Sequence, residues 1–148
     1  VLVLLSVPAA TADRAEVTLS IWAVQAVREG HNTIEMDPAL VPVRDELRGL
    51  PYDTFRSLLI TEKGCPRDAD ASLRLTDRYT LVTKFIEEMN DGRLRIELCI
   101  LMPPPPEYSS QEPVVVLTTV LKLSPGKQVK LGGMKLEVGD LIVVLAAR

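Results

Sequence analysis

Along most of this chain apolar and polar residues alternate with a period of two, the signature of half-buried strands. From Glu16 to Arg28, Val17, Leu19, Ile21 and Ala23 fall on one face of an extended chain, and Thr18, Ser20, Trp22 and Val24 on the other. Gly30-His31-Asn32-Thr33 breaks the pattern and predicts a loop. The period then changes. Asp37-Pro38 reads as a helix start, an N-cap carboxylate followed by a proline in the first turn. Leu40, Val43, Leu47 and Leu50 follow at spacings of three, four and three, a stripe down one side of a helix, with Arg44, Asp45, Glu46 and Arg48 on the other faces. Pro42 delays the regular helix by a turn, and Gly49 with Pro51 ends it. One amphipathic helix near residues 38–50 is predicted.

The period of two then returns. Residues 52–62, with Phe55, Leu58, Leu59 and Ile60, predict a second strand, and residues 63–68 a loop. Strands are expected over 71–75 and 79–88, and Asn90-Asp91-Gly92 is a strong hairpin turn. In the returning strand Leu94, Ile96, Leu98 and Ile100 point inward, and Arg95, Glu97 and Cys99 outward. Pro103, Pro104, Pro105 and Pro106 cannot donate ladder hydrogen bonds and favour a polyproline II segment. With residues 107–113, Tyr108 among them, they predict a long exposed loop. The nearly continuous apolar run Val114–Leu123 predicts a strand buried on both faces. Ser124-Pro125-Gly126-Lys127 matches a type II turn, residues 127–131 return, Gly132-Gly133 turns again, and 141–147 is apolar enough to be a central strand. The expected fold is α+β: a mainly antiparallel sheet or sandwich of six to eight strands with one helix inserted early.

The beginning of the chain adds an address. Val1-Leu2-Val3-Leu4-Leu5-Ser6-Val7 carries no charge, Pro8 follows, and Ala10-Thr11-Ala12 fits the small-x-small pattern cut by a signal peptidase. Residues 1–12 therefore read as a truncated signal peptide, and residues 13–148 as a single domain that works in the periplasm or at the cell surface. Seventeen basic against twenty acidic residues give a net charge of −3, which lacks the basic footprint of a nucleic-acid binder. No apolar stretch after residue 12 approaches the ~20 residues of a membrane-spanning helix. The two cysteines, Cys65 and Cys99, stand open between a disulfide and two unpaired thiols; a bridge would be worth about 3–4 kcal/mol in the chain-entropy view.

The remaining motifs are poor in reactive groups. A single histidine, with no C-x-x-C or H-x-x-x-H pair, leaves zinc without a ligand set. Asp68-Ala69-Asp70 opens like a calcium loop, but Leu73 and Tyr79 stand where that loop needs Gly and Glu. There is no G-x-S-x-G elbow and no phosphate-binding glycine loop. No catalytic, cofactor-binding or metal-binding residue is assigned, and no cofactor is implied. Two features suit a partner: the proline loop Pro103–Pro106 with Tyr108, and the lysines Lys122, Lys127, Lys130 and Lys135 around the last hairpins. Each has a plainer reading, a stiff loop and edge lysines that block aggregation.

Leu19-Ser20-Ile21-Trp22-Ala23, Asp37-Pro38-Ala39-Leu40, the pair Tyr52 and Phe55, and the stretch Gly126 to Gly133 together resemble the layout of small exported bacterial proteins of unknown function. Gly126 to Gly133 through Leu141-Ile142-Val143 is also similar to strands of the secretin family of outer-membrane channels. The resemblance covers turns and core positions and implies no catalytic residue. The function expected is a non-catalytic protein-interaction module with a protein partner in the envelope, an accessory of a secretion or envelope assembly. Two rivals stay open: a small hydrolase centred on His31, and a β-domain that binds an apolar or sugar ligand near Trp22.

Overall fold

The computed structural model describes residues 14–108 and 112–148. The expected signal peptide, residues 1–12, lies outside the described residues, as does the side chain of Tyr108. The strands are β1 (Glu16–Val27), β2 (Glu35–Met36), β3 (Thr54–Pro66), β4 (Asp70–Arg74), β5 (Thr80–Glu88), β6 (Leu94–Met102), β7 (Val114–Leu123), β8 (Gln128–Lys135) and β9 (Asp140–Ala147). They form two sheets. Sheet I has the order β2-β3-β1-β9-β8 and sheet II the order β4-β5-β6-β7. Neighbours are antiparallel apart from the two-residue strand β2, which runs parallel to β3. The α+β sandwich read from the pattern is the one observed. Its strand number exceeds the expected range because a pair as short as β2 leaves no periodicity to read.

Alternation places one apolar row of each strand in a shared interior. Val17, Leu19, Ile21 and Ala23 of β1 and Leu141, Val143 and Leu145 of β9 meet Leu81, Phe85, Leu94, Ile96, Leu98 and Ile100 from sheet II. The other face of sheet I has its own cover. Val24, Ala26, Phe55, Ile142 and Val144 pack beneath Leu40, Val43 and Leu47, with Trp22 and Tyr52 at the margin. Both faces of β9 are thus occupied, which is why its apolar run correctly reads as a central strand.

The helical cover is split where Pro42 predicts. A 3-10 segment runs over Pro38–Val43, and only Arg44–Arg48 (α1) is α-helical. Asp37 caps the start, its carboxylate accepting from the Ala39 N–H at 3.0 Å. Two turns are called wrongly by the pattern. Gly64 and Cys65, expected in a loop, continue β3, because β1 is long enough to pair with it as far as Pro66. Gly132-Gly133 makes a bulge within β8, where the register slips between Leu131 and Met134; the reversal comes at Gly139 (φ +77°), where the Leu136 N–H reaches the Gly139 carbonyl at 3.0 Å.

The largest departure concerns β7. Among the described residues it is an edge strand, paired with β6 alone, instead of the doubly buried strand that its composition predicts. Leu123 is buried and Leu117 and Leu121 pack against the interior, but Val114, Val115, Val116 and Val120 are exposed. An apolar row outnumbering the buried places means that the excess lies on the surface.

Candidate functional site

Two sheets have four edges, and three of them carry a device that blocks further pairing. The strand β2 is too short to extend. The strand β4 has five residues and presents Asp70, Ser72 and Arg74 to solvent. The strand β8 is bulged at its glycines and tied to the helical cover: the Lys130 ammonium donates to the Glu46 carbonyl at 3.2 Å, and the Gln128 side-chain amide to the Pro42 carbonyl at 2.8 Å. Lys135 is paired with Asp140 at 3.1 Å.

The fourth edge, β7, also bulges, at Val116, where its register with β6 slips between Leu117 and Val115, but it differs in length and composition. Its ten residues, VVVLTTVLKL, contain no proline and one charge, Lys122. Val115 and Val120 are 56% and 52% exposed. One side of its backbone pairs with β6; among the described residues the other has no strand beside it. On the outer face Val120 lies opposite Glu97, Thr118 opposite Cys99 and Val115 opposite Leu101. Val120, Glu97, Thr118 and Cys99 line a shallow groove of about 260 Å³ that also includes Asp70 of β4 and Val82 and Lys84 of β5. Exposed β-branched residues on an unpaired strand are a template for β-augmentation, in which main-chain hydrogen bonds supply affinity and alternate side chains supply selectivity.

The structure divides the residues proposed from sequence. Pro103–Pro106 follow the end of β6, with Pro106 opening a short 3-10 turn, and Lys122 stands near the end of β7. Lys127 follows in the Ser124–Lys127 turn, where its N–H donates to the Ser124 carbonyl at 3.0 Å. That turn carries the chain across to sheet I, where the exposed Lys130 and Lys135 are paired with Glu46 and Asp140. The four lysines therefore do not form one surface. What the pattern missed is the valines. The signal was present in Glu112-Pro113 immediately before the strand and Lys122 near its end, but such flanks also occur beside central strands.

The cysteines are free thiols in this structure, with no disulfide between them. Cys65 is buried between the sheets, 3.1 Å from the Thr83 hydroxyl, and burial pushes its thiol up from the usual range. Cys99 lies on β6 beside the inward-facing Leu98, so its side chain takes the opposite, outer face of sheet II and meets Thr118. Period-two geometry thus turns the two sulfurs apart.

His31 lies at the other end of the molecule. Its ring meets the carboxylates of Glu29 at 3.0 Å and Glu35 at 3.8 Å, and the hydrogen bond to Glu29, more than any other contact, raises its pKa. The loop beneath it is fixed by Asp53, which accepts from the backbone N–H groups of Glu29, Gly30 and His31 at 2.8–3.0 Å. Those bonds, with one from the Thr54 hydroxyl, hold the Asp53 carboxyl down at about 2. The contacts of this imidazole are acids; Cys65 and Cys99 belong to the inter-sheet core and to the outer face of sheet II. Trp22 packs at the margin of the helical cover.

A larger groove, about 620 Å³, runs between the β4–β5 loop (Thr76, Asp77, Arg78) and the β8–β9 hairpin (Leu136, Glu137, Val138). Its charged groups carry both signs and do not converge on one point. Among the described residues no cluster of three or more metal-ligating side chains occurs, and no helix is long and apolar enough to cross a membrane. Comparison with protein-family models, with curated proteins and with solved structures finds no match.

Proposed function

We propose that this protein is a non-catalytic interaction module that accepts an extended protein segment as an added strand on the free edge of β7. The single observation behind the reading is the contrast among the edges. Three are short, charged or covered, whereas β7, although bulged at Val116, is long and apolar and among the described residues has a strand on one side only. Proteins rarely leave such an edge open unless something pairs with it.

The setting belongs to the same proposal: an exported protein, periplasmic or at the cell surface, serving as an accessory of a secretion or envelope assembly. Its support is the uncharged run Val1–Val7 followed by Ala10-Thr11-Ala12, together with the short similarity of Gly126–Gly133 through Leu141-Ile142-Val143 to strands of the secretin channels.

Site-specific photo-crosslinking in the producing cell tests the reading. A photoreactive residue at Val120 should give a discrete protein adduct that disappears when Thr118→Lys is added, since an edge lysine opposes strand addition. The same probe at Arg44, on the helical cover, should give none of that adduct. Equal adducts from both positions, or an adduct indifferent to Thr118→Lys, would refute a docking edge at β7.

A further inference from the structure

We infer that the segment received by the β7 edge is β7 of a second copy of this chain, joined antiparallel about a two-fold axis. This rests on the docking-edge reading above and names the occupant.

Charge selects the occupant and its direction. Glu107 and Glu112 are exposed ahead of the strand, and Lys122 and Lys127 are exposed at and beyond its end. An antiparallel copy brings the acidic end of one strand beside the basic end of the other, and it does so at both ends of the seam. A parallel copy would instead set Lys122 against Lys122 at about 4.8 Å. With the antiparallel pair centred on Thr118, the two Lys122 side chains stand about 27 Å apart along the strands, far beyond the ~8 Å screening length.

The faces also agree. Leu117, Thr119 and Leu121 are the less exposed residues of β7, and Thr118, Val120 and Lys122 the more exposed. Centring on Thr118 lays Leu117 against Thr119 of the copy, so the inner rows of the two sheets meet at these positions, while the bulge at Val116 ends the match where Leu121 faces Val115. The strand between Leu117 and Leu121 has no charge to desolvate at the seam. Two four-stranded sheets thereby merge into a single continuous one, and a self-complementary patch of this kind closes as a two-fold dimer instead of growing into a fibre.

The centred register makes a measurable distance. Cys99 lies opposite Thr118, so the two copies of Cys99 fall in one row across three inter-strand spacings, about 14 Å. Cys65 is buried and does not compete for a thiol reagent.

The test uses the full chain under reducing conditions, followed by sedimentation equilibrium and by a bis-maleimide reagent of about 14 Å reach. The expected result is a dimer whose Cys99 residues become cross-linked, with the cross-link absent in Cys99→Ser. Thr118→Lys, which sets two lysines face to face at the axis, should weaken the dimer at least tenfold. Lys122→Glu should weaken it about fivefold by placing acids together, and Glu112→Lys added to Lys122→Glu should recover most of the loss. Circular dichroism confirms that each variant is folded, and the charge swap decides if Thr118→Lys is not. A monomer at every concentration overturns the inference, as does a dimer indifferent to both the lysine and the charge swap. If a monomeric chain still gives the Val120 adduct with another protein, only the second copy is overturned and the docking edge stands. If the adduct fails as well, both fall.

Discussion

Leu47→Ala probes whether the helical cover is part of the cooperative fold. Leu47 is fully buried in the cluster formed with Val24, Phe55, Ile142 and Val144, and α1 is only five residues long. So short a helix has no stability of its own and is held by what its side chains bury. Truncation to alanine removes three carbons from the site. At about 0.8 kcal/mol per buried methylene the transfer loss is roughly 2.4 kcal/mol, and a residual cavity raises measured losses for such changes to about 2–5 kcal/mol. The cover lies over one face of sheet I and can settle inward, so the lower half of that range, about 2–3 kcal/mol, is expected. With a urea slope of about 2 kcal/mol/M, the unfolding midpoint should fall by about 1–1.5 M with the slope unchanged. Val41 stands on the same segment but is 56% exposed, and Val41→Ala should leave the midpoint within about 0.2 M. If Leu47→Ala behaves like Val41→Ala, the helical segment is not docked as described and the second apolar cluster does not contribute to the core.

Other outcomes follow from the same geometry. Gly139→Ala should cost about 1–3 kcal/mol, since φ is +77° and an added Cβ would collide with the Ala26 carbonyl; an unchanged melting midpoint would contradict the β8–β9 turn. Asp53 has a folded pKa of about 2, below its ordinary 3.8, so its stabilisation is present above about pH 4 and is lost as the pH falls toward 2. Asp53→Asn should flatten that part of the acid-unfolding curve and speed amide exchange at Glu29, Gly30 and His31, and unchanged exchange at those amides would rule out the carboxylate cradle. In the native protein a maleimide probe should label Cys99 rapidly and Cys65 only on unfolding; two protected thiols that appear only after reduction would mean that a disulfide forms.

Local chemistry made much of this architecture legible. The strand β1 announced itself by alternation, the helical cover by Asp37-Pro38 and the stripe Leu40, Val43, Leu47, and the β5–β6 hairpin by Asn90-Asp91-Gly92, whose glycine has φ +86°. Each of these depends on neighbours within a few residues, and that information is written in the chain. The edge position of β7 was not legible in the same way. The runs Val114–Leu123 and Leu141–Ala147 both read as buried strands, yet the second lies between two neighbours and the first has one.

The amino-acid order by itself determined the period-two strands, the capped helical turn, the reversals at Gly92 and Gly126 and the scarcity of reactive groups. Only the tertiary structure decided which apolar strand would be enclosed and which left at a rim, and that the sulfurs of Cys65 and Cys99 face different ways. The physical reason is that periodicity fixes which way a side chain points relative to its own strand. What stands beside that strand depends on pairings between segments far apart in sequence, and no local pattern encodes them.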